Sequence, residues 1–201
     1  MAIKRKGFTL IELLVVISII SLLSSIILAA LNTARAKARD ATRLSDMHQI
    51  QISLELYRDT YGNYPYVDPA AETTLSACGG YDAGYVGGNR RGDTFIQPLV
   101  TSGTMKTVPV DPTFDAPGNA NISGCGGYLY RLHNPGDEGC SVARGSYYIL
   151  GVIDMETSNG PYHGSPNFVC ANLDYQNGGP PGQPHDPSKL QFEWLTGAFQ
   201  N

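Results

Sequence analysis

The sequence predicts an α+β protein in which a long N-terminal hydrophobic α-helix packs on a small antiparallel β-sheet domain. Three observations lead there. Residues 13–34 carry no charge, no glycine or proline lies between Gly7 and Gly62, and all 13 prolines with 21 of the 23 glycines fall at or after Pro65 or just beyond it. A helical front is thus joined to a turn-rich back. From residue 62 onward six Lys/Arg stand against 13 Asp/Glu, a net of −7, in a chain of formal charge −4. So acidic a back argues against a nucleic-acid binder. A single long apolar run excludes a polytopic membrane protein.

The helix is justified first. At ~1.5 Å per residue the uncharged run spans roughly 33 Å, enough to cross a bilayer core. Phe8 to Ile11 extend it upstream across one acid, Glu12. A secretory signal peptide is the bland alternative, since Lys4, Arg5 and Lys6 precede the run. Its apolar region would be shorter, ~7–15 residues, and only Ala29-Ala30 offers a cleavage site. Basic residues also follow the run closely, at Arg35, Lys37, Arg39 and Arg43, so charge alone leaves the orientation open.

Nothing stops the helix at the membrane. Ala34, Ala36, Ala38 and Ala41 are strong helix formers. Beyond them Leu44, Met47, Ile50, Leu54, Tyr57 and Tyr61 recur every three or four positions and form one apolar stripe. The charges Arg39, Asp40, Arg43, Asp46, Arg58 and Asp59 belong mostly to other faces. Ile52 and Leu56 lie opposite the stripe, which gives the helix two sides to bury. A helix from Phe8 to Tyr61 is ~80 Å long, more than one small domain covers. Lipid or neighbouring copies must bury the rest.

The back follows in order. Tyr61-Gly62-Asn63-Tyr64-Pro65 ends the helix, with Gly as cap and Pro blocking continuation. Residues 66–93 read as an irregular loop and 95–100 as a short helix or turn. Residues 127–132, 146–153 and 167–173 are strand candidates, with a long hairpin loop over 133–145. A Pro/Gly linker at 178–187 leads to a tail at 190–199 that holds Trp194, the only tryptophan. Strand, docked helix and unstructured end all remain open for that tail.

The chemistry-bearing residues are few. Glu12 stands out, because a carboxylate in hydrocarbon costs on the order of 3 kcal/mol and is usually partnered. Its surroundings read Lys4-Arg5-Lys6-Gly7-Phe8-Thr9-Leu10-Ile11-Glu12-Leu13-Leu14-Val15-Val16. This string closely resembles the leader and N-methylation motif of type IV pilins and type II secretion pseudopilins. The resemblance implies cleavage by a prepilin peptidase between Gly7 and Phe8, methylation of the Phe8 amine, and pairing of Glu12 with the Phe8 amine of a neighbouring subunit. Loss of three basic residues would take the charge from −4 to −7. It further implies a leader in the cytoplasm, a single-pass inner-membrane precursor, an extracytoplasmic head, and a pilus or pseudopilus filament built with an assembly platform. Partners are then copies of this chain, other pilins or pseudopilins, the peptidase and membrane lipid, with no nucleic acid. Gly62-Asn63-Tyr64-Pro65 and Pro109-Val110-Asp111-Pro112 resemble segments of G-type major pseudopilins. The helix-breaking proline common in the family's span is missing; Ser18, Ser21, Ser24 and Ser25 interrupt the apolar face instead.

The expected organisation is a leader over 1–7, a transmembrane and assembly helix over 8–34, an amphipathic helix over 35–61, a pilin-like head over 62–177, and a linker and tail over 178–201. Cys78, Cys125, Cys140 and Cys170 all fall in the head, an even count that suits two disulfides, and three pairings are open. No cofactor is expected. Major pseudopilins often bind calcium, and Asp154, Glu156 and Asp174 are the weak candidates here, although the usual Gly/Asp-rich loop is not recognisable. Arg91-Gly92-Asp93 reads as an ordinary loop tripeptide. No hydrolase or nucleotide-binding motif occurs, so the chain reads as a structural subunit and not an enzyme. The rival is a membrane-anchored extracytoplasmic binding or enzymatic domain that does not polymerise, with Cys140 and His133 as a conceivable nucleophile pair.

Overall fold

The structure is a computed structural model, which describes residues 9–67, 81–86, 89–90, 95–113, 125–158, 160–182 and 192–201. The chain forms two compact units, Met1–Ala38 and Arg39–Asn201. One helix, α1 (Leu10–Tyr61), contributes to both.

In the first unit α1 is apolar all round, with a mean hydropathy of 2.8 over its most apolar window, long and apolar enough to cross a membrane. Its described side chains are exposed, Leu10 at 82% and Ile26 at 64% among them. Three of the four serines that interrupt this face bond their own helix locally. Ser18 and Ser21 donate to the carbonyls of Leu14 and Ile17, and Ser25 to that of Leu22, each at 2.8 Å. Such back-bonding removes the cost of a bare hydroxyl in an apolar setting.

The second unit is built on the amphipathic half of α1. Met47, Ile50 and Leu54 are fully buried, with Leu44 and Tyr57 packed beside them. The predicted stripe is therefore the core-facing one. Tyr61 stays half exposed against the Tyr57 ring, and Ile52 and Leu56 are also exposed, so the head covers one side of the helix only. The helix ends where expected. Gly62 adopts φ 80° and donates to the Arg58 carbonyl at 2.7 Å, the left-handed cap that glycine makes at no steric cost.

Among the described residues the sheet has five antiparallel strands, β1 (Asp82–Val86), β2 (Asn89–Arg90), β3 (Cys125–His133), β4 (Tyr147–Val152) and β5 (Trp194–Phe199), in the order β2-β1-β3-β4-β5. Central β4 is buried along its whole length. Its alternate residues serve two cores, as the pleat requires. Tyr148, Leu150 and Val152 join Tyr128, Tyr130, Trp194 and α1, while Tyr147 and Ile149 join Leu129, Leu195, Phe192 and the Cys140–Cys170 disulfide on the opposite face. The short helix α2 (Gln97–Thr101) starts after Ile96, whose left-handed backbone (φ 44°) is held by an N–H bond of 2.6 Å to Asp82. Burial pushes the Asp82 carboxyl up to about 7.

Three readings need correction, and one open choice is settled. The stretch 66–93 contains β1 and β2, short strands whose flanking glycines hid them. Residues 167–173 are not a strand: Asn167 is left-handed (φ 58°), Cys170 is tied to Cys140, and only a single bridge joins Val169 to Asp174. Of the alternatives open for the tail the strand is the one formed: β5 pairs with β4 from Trp194↔Val152 to Phe199↔Tyr147. Finally, the charges of α1 do not lie mostly on other faces: Asp40, Arg43 and Asp46 are buried on the side of the stripe.

Candidate assembly site

The N-terminal site is built by a reciprocal helix cap. Thr9 accepts the Glu12 N–H at 3.3 Å, while the Glu12 carboxylate accepts the Thr9 N–H at 2.8 Å and its hydroxyl at 2.6 Å. Thr-x-x-Glu is the sequence signature of this box, a signal present in the string and overlooked beside the charge argument. The cap fixes where α1 starts and holds the acid on the helix rim. Glu12 stays exposed beside Ile11, Val15 and Val16, with which it lines a shallow groove. Its oxygens are therefore reachable by a second chain. Gly7 and Phe8 lie outside the described residues.

In the head, α1 is locked by charges. Arg43, 1% exposed, makes a two-pronged contact with Asp111 at 2.8 and 2.9 Å and reaches Asp40 at 2.6 Å, Glu156 at 3.1 Å, and Thr113. Arg39 clasps Glu156. Asp40 in turn accepts the backbone N–H groups of Glu156 and Thr157 at 3.0 and 2.9 Å and the Thr157 hydroxyl at 2.6 Å. Three chain segments meet on one turn of helix. Burial alone would push the Asp40 carboxyl up, but Thr157, Glu156 and Arg43 hold it below the usual range. Arg39 does the same for Glu156. One helical turn of basic and acidic residues thus forms a satisfied, largely buried network with Asp111 and Glu156, the condition under which buried charge is tolerated. The Pro109-Val110-Asp111-Pro112 segment supplies its anchor, a role that no local pattern assigns in advance. One turn on, Asp46 accepts the Tyr128 hydroxyl at 2.6 Å.

The calcium candidates are not brought together. Glu156 is taken by two arginines. Asp174 accepts from Asn167, the Gln176 and Asn177 N–H groups and the Asn177 amide, which organises a turn. Asp154 is raised by burial among other acids. Among the described residues no three acidic, histidine or cysteine groups cluster as a metal site. Of the open cysteine pairings, Cys140–Cys170 is made. Cys78 lies outside the described residues, as does Arg91-Gly92-Asp93, and Cys125 is described through its backbone in β3. His133 is near Cys140 in sequence but stacks on Tyr147, centroids 4.8 Å apart. A thiol held in a disulfide serves as no nucleophile.

Residues 3–28 match the family described as the prokaryotic N-terminal methylation motif. The chain is 27% identical over 140 residues to the type II secretion system core protein G of Escherichia coli (strain K12), covering 68% of this chain and 77% of that protein. It is 30% identical over 74 residues to the protein of the same name from Klebsiella pneumoniae, covering 37% of this chain and 53% of that relative, about half its length. No solved structure matches it significantly. With a methylation motif at the head of an apolar helix, and similarity to core protein G running well past that motif, the chain is a prepilin-like protein: a pilin-like structural subunit that polymerises.

Proposed function

We propose that this chain is a G-type subunit of a type II secretion pseudopilus, cleaved between Gly7 and Phe8, methylated on the Phe8 amine, and drawn from the inner membrane into a short filament by an assembly platform. The observation that carries the filament reading is the bare apolar half of α1, exposed from Leu10 to Leu31 and headed by one acid. In the precursor lipid covers it; in the filament the same surface is covered by α1 of other copies. Glu12 leaves its cap on Thr9 to pair with the Phe8 amine of a neighbour, which compensates a charge whose uncompensated burial is expensive. The similarity to core protein G favours secretion as the system. A surface pilus is the second reading, favoured by the Cys140–Cys170 staple and the C-terminal strand, features suited to a head displayed outside the cell. No catalysis is part of either reading.

The test expresses wild type and Glu12→Ala with the assembly genes and images the cell surface for fibres. Wild type forms fibres; the variant inserts in the membrane at equal level and forms none or deranged ones. Normal fibres from Glu12→Ala would sink the pairing role. Loss of a secreted passenger when this gene is deleted, restored by complementation, supports the secretion system; unimpaired secretion with loss of long surface fibres supports the pilus.

A further inference from the structure

The outer edge of β5 is only half covered. Leu195 directs its backbone away from β4: its N–H bonds Ser165 Oγ at 3.0 Å and its carbonyl accepts the Asn167 N–H at 3.1 Å. Alternation along a strand then places the N–H and C=O of Gly197 and Phe199 on the same outer side. There the covering segment leaves. Asn167 turns left-handed (φ 58°) and bonds the Phe168 N–H through its own side chain at 2.6 Å. Beyond it lies an open groove of about 710 Å³, lined by Arg144, Asn167, Phe168, Val169, Gly197 and Phe199. The Phe168 ring floors it by resting on Gly197, where a Cβ would come within 2.7 Å of the ring. The Arg144 guanidinium lies 3.7 Å over the Phe199 ring and makes no ion pair with a described residue. Val169, half exposed, adds an apolar rim.

We infer that the Gly197–Phe199 edge is an acceptor for an extended segment of another protein, which adds as a strand to β5 and places a carboxylate on Arg144. Backbone groups of the edge supply the affinity and Arg144 with the Phe168 floor supplies the selection, the division of labour of strand addition. The occupant is acidic at this point because Arg144, stacked on Phe199, has no ion pair among the described residues and its charge is complemented by a carboxylate; a second copy seated on the edge is the outcome that the self-association measurement below tests. This site does not depend on the filament reading.

The test uses the full chain in detergent micelles and a fluorescein-labelled, N-acetylated peptide of alternating threonine and valine ending in aspartate. Anisotropy saturates on titration, and amide exchange slows at Gly197 and Phe199. Replacing the peptide's aspartate by asparagine amide weakens binding about fivefold; Arg144→Gln weakens it about as much and no longer separates the two peptides. N-methylation of alternate peptide amides abolishes binding. Absence of saturable binding, indifference to N-methylation, or equal affinity of both peptides for wild type would overturn the inference. So would self-association of wild type that Arg144→Gln removes, which would seat a second copy on the edge. Fibre formation by Arg144→Gln is normal, so a failure here is distinguishable from failure of the assembly account.

Discussion

Arg43→Met removes the cation at the centre of the buried network and leaves its acids in place. Arg43 is 1% exposed and its two closest partners, Asp40 and Asp111, are 2% and 6% exposed as side chains, so no water replaces the lost contacts. Breaking one side of a buried pair costs about 3–5 kcal/mol, a large share of the ~5–15 kcal/mol that holds an ordinary domain. Asp40 keeps its three donors from Glu156 and Thr157. Among the described residues Asp111 keeps only the Thr113 N–H at 2.9 Å and its hydroxyl at 3.1 Å, so most of the loss originates there. Arg43→Met with Asp111→Leu should therefore recover about half of it. Arg43→Lys, unable to make the two-pronged contact, should fall between. Trp194 is the only tryptophan and 7% exposed in the core that α1 joins, so its fluorescence in urea reads head unfolding in the full chain. A loss below about 1 kcal/mol for Arg43→Met, or a double variant as unstable as the two single losses summed, would refute the reasoning.

Burial pushes the His133 imidazole down to about 4 from its ordinary value near 6.5. The unfolded chain then binds more protons between those values, so head stability falls as pH drops from about 6.5 to 4, by about 3 kcal/mol in total, and Tm against pH flattens in His133→Phe. The depressed carboxyls of Asp40 and Glu156 act in a separate, more acid window, as pH falls through their folded values, and Arg43→Met reduces that slope without abolishing it, because Thr157 and the Glu156 N–H still hold Asp40 and Arg39 still holds Glu156. Reducing Cys140–Cys170, which spans 30 residues, should cost about 3–4 kcal/mol of head stability, read by the same Trp194 titration with and without reductant. Gly62→Ala, at φ 80°, should cost about 1 kcal/mol; a neutral result would mean the cap is not held in the left-handed region.

Periodicity made α1 legible from end to end: the stripe from Leu44 to Tyr57 is the buried one, and Gly62 with Pro65 marks the stop. Strands β3 and β4 were legible because Tyr128 and Tyr130 alternate with Leu129 and Arg131 in the first and aromatic and β-branched residues crowd the second. The failures have physical causes. β1 is five residues among glycines and is made a strand by pairing with β3, a partner some forty positions away. β5 needed tertiary context too, since Trp194, Leu195 and Phe199 gain their burial only against β4 and Phe168. The charged residues of α1 misled most. Spacing in fact places Asp40 and Arg43 on the face of the stripe, seven and four residues before Met47, and Asp46 four before Ile50; what nothing local reveals is that Asp111, Glu156 and Tyr128 arrive to pair with them. Glu12 shows the reverse: its importance is local, and the Thr9 cap that holds it is written three residues upstream.

The central claim is that the working subunit begins at Phe8 and assembles through that end. Intact-mass and N-terminal fragment spectra of filament material test it most directly. The account predicts a chain starting at N-methylated Phe8, with Lys4, Arg5 and Lys6 gone. Filaments whose subunits retain Met1–Gly7 would contradict it.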